Sequence, residues 1–335
     1  MKRIGILLIL ISAFAFTSFA EESVLIDFSM LTGDVDVGAK TENVATLIDF
    51  SQKAGTGFTE EEKNAMKTSL KLDNWEVILA SSSRTVTNQS LSKTITAPVN
   101  DDAKKYQGES VMGIRVHYPD EPFNSWAIVQ PPFEIPAFMK KTDFDEASGE
   151  LTEDAADRLG TKFDGYGVAK NVGVLKTVSM NIYGSNFPNG VGLLLKDQEN
   201  NVKNIFMDYL DFDGWKTLVW KNPNYITEVR NRELKRLPLY PKSTPMFKLV
   251  GIIFYKDATQ NGGDFITYIK DISMTYDKAV LNLERDIDEE ALWGILNERE
   301  ESRRTAEFSK LGNLQVLRYL ESMKMHSEEA AAAGE

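Results

Sequence analysis

The side chains able to do chemistry are few in kind. The 335 residues include two histidines, His117 and His326, and no cysteine. Thiol nucleophiles and thiolate metal sites are therefore excluded, and a histidine triad has little to be built from. His117 alternates with the apolar residues of Met112-Gly113-Ile114-Arg115-Val116-His117-Tyr118, which predicts an imidazole on the outward side of a strand. No GxSxG elbow or GxxxxGK[ST] loop occurs, and Gly165-Tyr166-Gly167 lacks the later glycine of a dinucleotide fingerprint. No catalytic, cofactor-binding or metal residue is nominated, and no cofactor is expected. Carboxylates are abundant and a facing pair can cleave a glycosidic bond, but spacing along the chain singles out no pair. Asp211-Phe212-Asp213-Gly214 opens like a calcium loop, yet its glycine arrives two positions early and no glutamate stands at the twelfth place. A tight solvated turn is the better account.

The candidates that remain are aromatic. Trp215, Trp220 and Tyr225 cluster near that turn, with Trp126 and Phe187 elsewhere. Sugar rings stack their C–H faces on such planes, whereas the competing reading has the rings filling a core or a contact between subunits. Their exposure separates the two.

The elements that must carry these rings read as strands. Met112 to Tyr118 alternates with period two, as do Val178, Met180 and Ile182 against Thr177, Ser179 and Asn181. Short runs at Val191 to Leu195, Val202 to Tyr209 and Lys216 to Trp220 are separated by turn-rich pieces, which predicts antiparallel sheets. Phe247 to Tyr255 is almost continuously apolar, like a central strand, and Ile266, Tyr268, Ile272, Met274 and Tyr276 alternate along a last strand in which Lys270 is the exception. Upstream, Trp75 to Leu79 and the Thr-rich Arg84 to Thr96 are expected as strands, and Thr59-Glu60-Glu61-Glu62 as a capping box opening a helix towards Leu72. Leu25-Ile26-Asp27-Phe28-Ser29 recurs as Leu47-Ile48-Asp49-Phe50-Ser51, and both copies read as strand starts. After Tyr276, Ile287, Ala291, Leu292, Ile295 and Leu296 show helical spacing, and Leu311, Leu314, Leu317, Leu320 and Met323 lie three apart.

Lys2 and Arg3, the apolar Ile4 to Phe16 and Ser18-Phe19-Ala20 describe a secretory leader, so the mature chain is expected to start at Glu21 in a periplasm, with no membrane span. Losing the leader moves the formal charge from −12 to about −14, which excludes nucleic acid and anionic lipid as natural partners. The expected division is a signal peptide at 1–20, a sandwich at 21–280 with an acidic insertion at 143–158, a helical extension at 281–326 and a disordered tail at 327–335.

Taken in order, these features resemble the spirochaete periplasmic flagellar filament outer layer proteins, the FlaA-type sheath subunits. The resemblance rests on the leader, the paired LIDF motifs, the block from Met180 to Ile226, and the closing stretches Lys248 to Asp257 and Asp264 to Ile272. It implies a non-enzymatic subunit laid on a flagellin core among other sheath proteins, self-associating there, and affecting filament stiffness, shape and motility. The segment around Trp215 and Trp220 is also similar to jelly-roll carbohydrate-binding modules of the galactose-binding type. The expected fold class is thus mainly β, an antiparallel sandwich with C-terminal amphipathic helices. A carbohydrate-binding module without catalysis is the alternative function.

Overall fold

Alternating side chains and tight turns build two facing antiparallel sheets. The computed structural model describes residues 20–51, 57–234, 244–279, 286–287 and 289–333; the expected leader lies outside them except for Ala20. Twelve strands form the sheets: β1 Ala20–Asp27, β2 Glu76–Leu79, β3 Lys93–Pro98, β4 Ser110–Tyr118, β5 Ser125–Gln130, β6 Val168–Lys170, β7 Val172–Ser185, β8 Gly190–Asp197, β9 Val202–Tyr209, β10 Asp213–Lys221, β11 Met246–Lys256 and β12 Gly263–Lys278. Sheet I runs β10-β7-β12-β4-β3, with β1 on the second half of β12. Sheet II runs β9-β8-β11-β5-β2, with β6 on the start of β11. Met112, Ile114 and Val116 of β4 and Val178, Met180 and Ile182 of β7 point inwards to meet Val191, Leu193 and Leu195 of β8 and Ile252 and Phe254 of β11. With no disulfide available, this buried apolar layer is what drives folding.

Lys270 turns out to be a bulge. Asn181 pairs with Asp271 while Ile182 pairs with Ile269, so Lys270 is an extra residue in β12. An extra residue swaps the faces of everything beyond it. Phe265 and Ile269 point inwards before the bulge, and Ile272, Met274 and Tyr276 after it. Ile266 and Tyr268, grouped with the buried face by simple alternation, therefore lie on the outer one. The Lys270 ammonium, nearly buried, sits 2.6 Å from Asp27 and 3.0 Å from Glu109.

The smaller elements correct several expectations. Thr59 does close a capping box with Glu62, but helix α1 spans only Glu60–Ala65, because Lys67 and Thr68 pair with Asp49 and Ile48. Within the Thr-rich run, Thr85 caps a second helix, α2 Val86–Leu91, by accepting from the Asn88 amide at 3.1 Å, and only β3 is a strand. The first LIDFS copy ends a strand instead of starting one: Asp27 closes β1 and accepts from the Ser29 amide at 3.0 Å. Asp49 makes the same turn with the Ser51 amide at 2.8 Å, and the Leu, Ile and Phe of both copies are buried. The acidic segment contains a hairpin, Thr142–Asp145 against Glu150–Glu153, whose Phe144 and Leu151 pack on Val35, Val37 and Leu47.

At the end of the chain, α3 Tyr225–Leu234 having come before β11, Gly294 at φ 60° separates α4 Glu289–Trp293 from α5 Ile295–Ala333. The long α5 includes most of the tail expected to lack structure. Its leucines do not form one stripe: steps of three residues fall about 60° short of a full turn each time, so they spiral around the helix. Leu311 is 5% exposed, whereas Leu314, Leu317, Leu320 and Met323 are 45–56% exposed.

Candidate interaction surfaces

Trp215, Trp220 and Tyr225 do not share a surface. Trp215 and Trp220 stand five positions apart on β10 and so face opposite ways. Trp220 pairs in register with buried Val178 and packs against the core from the sheet edge. Tyr225 anchors α3: its hydroxyl donates to Asp277 Oδ2 at 2.9 Å, and Lys176 lies 5.6 Å over its ring. Burial first, then that carboxylate, raises its pKa. Phe187 is a core residue, ring to ring with Phe265 at 5.6 Å. Trp126 is 38% exposed on sheet II.

Of Trp215, Trp220 and Tyr225, Trp215 alone joins an aromatic platform on an outer face. Across sheet I the registers place Trp215, Tyr183, Tyr268, Gly113 and Ile95 in one row. Trp215 meets Tyr183 edge-on at 5.4 Å and Tyr106 at 4.8 Å, and Tyr183 meets Tyr268 at 5.8 Å. Gly113 leaves the row room, since a Cβ there would sit 3.0 Å from Ile95 and 3.3 Å from Tyr268. Beside the rings lies a polar group: Asn181 donates to Asp271 Oδ1 at 2.8 Å and accepts from the Thr217 hydroxyl, next to the Lys270, Asp27 and Glu109 cluster. Burial holds the Asp271 carboxyl above its ordinary range, partly offset by Asn181 and Lys270.

His117 is on this outer face, as its alternation predicted, but it is not free. Its Nδ1 lies 2.7 Å from Asp264 Oδ1, and Arg115 Nη2 donates to Asp264 Oδ2 at 2.7 Å. Arg115, then His117, holds the Asp264 carboxyl below its usual value. The geometry stops short of a nucleophilic triad, because the nearby Ser92 hydroxyl donates to the Asn88 carbonyl and accepts from the His117 backbone, not from the ring. The partnership was not legible in sequence, with 147 positions between the two residues.

A second outer surface lies on sheet II, and Trp126 is the member of it that the sequence reading names. Ile78, Ile128, Ile253, Gly192 and Phe206 form one row, with Trp126, Tyr255, Gly190 and Tyr209 beside it. Phe206 packs on Tyr209 at 5.3 Å and Tyr255 at 6.1 Å, lying over Gly190, where a Cβ would come 2.9 Å from its ring. The one available signal was the residues left over once the inward face of each strand had been assigned.

Helix α5 covers the far end of this same face. Lys248, nearly buried, is 2.7 Å from Glu134 and 3.6 Å from Glu307; Lys196 is also 2.7 Å from Glu134, and Lys310 is 3.6 Å from it. Burial works against the Glu134 charge, but the hydrogen bonds from Lys196 and Lys248 prevail and pull its pKa down to about 2. The cleft between helix and sheet there holds about 300 Å³. Among the described residues, no group of three or more acidic or histidine side chains is placed to hold a metal, and no helix is long and apolar enough to cross a membrane.

The fold is an antiparallel β-sandwich whose two outer faces each carry a row of aromatic and apolar side chains. The family described as flagellar filament outer layer protein FlaA matches residues 39–285, and the chain belongs to that family. A flagellar filament outer layer protein of Spirochaeta aurantia is 51% identical over 311 residues, 93% of this chain and 89% of that protein. The corresponding protein of Treponema pallidum (strain Nichols) is 43% identical over 315 residues, 92% of this chain and 90% of that one. Among solved structures, a carbohydrate-binding module in complex with β-1,4-galactotriose aligns over 61% of this chain and 88% of its own at 10% identity and a TM-score of 0.27. A family 11 carbohydrate-binding module from Clostridium thermocellum gives 12% identity, 64% and 91% coverage and a TM-score of 0.25. At those scores neither bears on ligand or function.

Proposed function

We propose that this chain is a structural subunit of the outer layer of a periplasmic flagellar filament, exported by its leader and acting by covering a flagellin core alongside other sheath proteins. The observation that carries the reading is identity to named outer layer proteins along nearly the whole chain. The outer face of sheet II supports it, since its apolar rows can be buried against neighbours without stripping water from ions. Such a layer adds bending stiffness and sets filament shape, and through these it affects motility. Deleting the gene is expected to thin the isolated filaments and alter swimming; filaments of unchanged diameter in cells of unchanged motility would sink the reading.

One observation favours a sugar-binding role as the second reading. Trp215 and Tyr183 lie beside Asp271, Asn181 and Thr217, a set of rings and polar groups of the kind that sugars stack on and bond to. Trp220 and Tyr225 take no part in it. Titration of soluble glycans against the wild-type chain and Trp215→Ala tests it: heat from the wild type alone supports the reading, and none from either removes it.

A further inference from the structure

The four strands that end the two sheets are not treated alike. An edge strand offers unpaired N–H and C=O groups to other strands, and proteins guard such edges by cover, by shortness or with a bulge. In β3 the Thr96 amide donates to Asp73 Oδ1 at 2.9 Å. β2 has four residues, and Gln89 of α2 donates to its Val77 carbonyl at 2.6 Å. β9 is bulged at Met207, because Val191 pairs with Asp208 and Gly192 with Phe206. Among the described residues β10 has no such guard: its nine residues pair with β7 in unbroken register from Asp213 to Lys221.

The backbone bonds show which groups of β10 face outwards. Just past its two ends, the Asn222 amide donates to the Lys176 carbonyl at 2.9 Å and the Phe212 carbonyl accepts from the Asn186 amide at 2.8 Å. Along an antiparallel pair, residues that bond to the partner alternate with residues that do not. The even-numbered residues of β10 therefore bond to β7, and Asp213, Trp215, Thr217, Val219 and Lys221 turn both N–H and C=O away from it. Among the described residues no hydrogen bond reaches those outward groups. Helix α3, which follows β10, turns back over the sheet, where Tyr225 bonds Asp277 of β12. We propose that β10 pairs antiparallel with β10 of a second copy, Thr217 opposite Thr217 on a twofold axis, so that sheet I runs through both chains.

The strand's own sequence selects that occupant. In this register all nine residues are paired, and Asp213 of each copy stands opposite Lys221 of the other, an ion pair at either end. Trp215 falls opposite Val219, an aromatic ring beside a β-branched side chain that is 51% exposed in the single chain. Trp220 falls opposite Gly214, where a Cβ would meet nothing within 4 Å and a ring can lie over bare backbone. The bonding parity agrees, because the outward residues face one another and supply about ten N–H to C=O bonds. Neighbouring registers lose this match: an axis at Lys216 sets two lysines against each other, and an axis at Leu218 leaves Asp213 opposite no residue of the strand. The contact is isologous and closes at two copies. It deepens the outer-layer reading, on which its place in the cell rests, by giving that layer a two-chain unit.

The chain has no cysteine, so introduced thiols read the register. Cα atoms of a directly opposed bonded pair lie about 5.5 Å apart, within reach of a disulfide, whereas Val219 and its copy would be about 14 Å apart. Under mild oxidation Thr217→Cys is expected to give disulfide dimers, and Val219→Cys, on the same side of the strand, almost none. Equal yields from the two overturn the register. Thr217→Pro removes an outward N–H that β7 does not use; with its fold checked by circular dichroism, it is expected to weaken self-association in sedimentation by roughly tenfold or more. Lys221→Asp sets carboxylate against carboxylate and is expected to weaken it severalfold, while Asp213→Lys/Lys221→Asp restores it, since the swap keeps both ends complementary. A double variant no better than the single one overturns the self-pairing. A wild-type chain that stays monomeric at every concentration yet still coats filaments overturns the contact and leaves the outer-layer reading standing. If Thr217→Pro strips such a monomeric chain from filaments, the edge belongs to a strand of another protein, which overturns the proposal equally.

Discussion

Lys162 is a cation placed where an apolar chain would serve better. Its ammonium is buried and donates to the Thr142 hydroxyl, and burial pushes its pKa down to about 8 although Asp143 pulls the other way. The folded value lies below the unfolded one, so the unfolded chain keeps its proton longer. The cost of burying the charge is fully felt below pH 8 and disappears as pH rises towards the ordinary lysine value. Lys162→Met is therefore expected to raise stability at pH 7 by about 1–2 kcal/mol and to abolish the gain that the wild type shows in mildly alkaline solution. Urea unfolding on both sides of pH 8 measures each; a variant less stable at pH 7 would show that the Thr142 bond outweighs desolvation. At the same scale, the candidate rings were legible by type and not by place. The sequence-based strand began at Lys216 and left Trp215 outside it. Once β10 begins at Asp213, period two alone sends Trp215 and Trp220 to opposite faces.

The strands and helices are joined by two charge clusters that tie distant segments together. In the bulge of β12, Lys270→Ala leaves Asp27 and Glu109 without their shared cation, which is expected to cost about 2–3 kcal/mol, read as a lower thermal midpoint. A midpoint equal to the wild type would mean that the two carboxylates are satisfied by solvent. At the seat of α5, the Glu134 carboxyl is held well below its ordinary value, so its contribution is complete above about pH 4.5 and drains away as pH falls towards 2. Glu134→Gln is expected to lower stability at pH 7 by about 1–2 kcal/mol, allowing for solvent screening of a half-exposed group, and to differ little from the wild type at about pH 2 and below. Hydrogen exchange along α5 at both pH values distinguishes loosening of the helix from global unfolding. Most of the sandwich was legible because alternation over β4 and β7 records which side of each strand is dry, turn-rich pieces bound β8 and β9, and the continuous apolar run of β11 marks a central strand. The bulge was not, because an extra residue shows only against the register of a partner strand. Helix α2 was not either, since threonine composition favours strands while a single threonine hydroxyl at the cap settles the local backbone.

An acidic chain that tiles a surface must bring like charges together. With a formal charge of −12, every copy–copy contact works against repulsion, and the apolar rows on the outer face of sheet II contain no ion pair to offset it. Raising ionic strength shortens the screening length from about 10 Å at 0.1 M to about 3 Å at 1 M, weakening that repulsion while leaving apolar burial in place. Self-association is therefore expected to strengthen with salt, with the dissociation constant falling severalfold over that range in sedimentation velocity runs. An interface carried by surface ion pairs behaves in the opposite way, since salt screens attraction as readily as repulsion. Dissociation on adding salt would thus place the contact at charged surfaces such as the rims around Lys203 and Asp208, away from the rows of Phe206, Trp126 and Tyr209. The same titration on isolated filaments separates the two sides of a subunit: a face held to the core by its apolar rows stays bound as salt rises, whereas a face held by charge releases the layer.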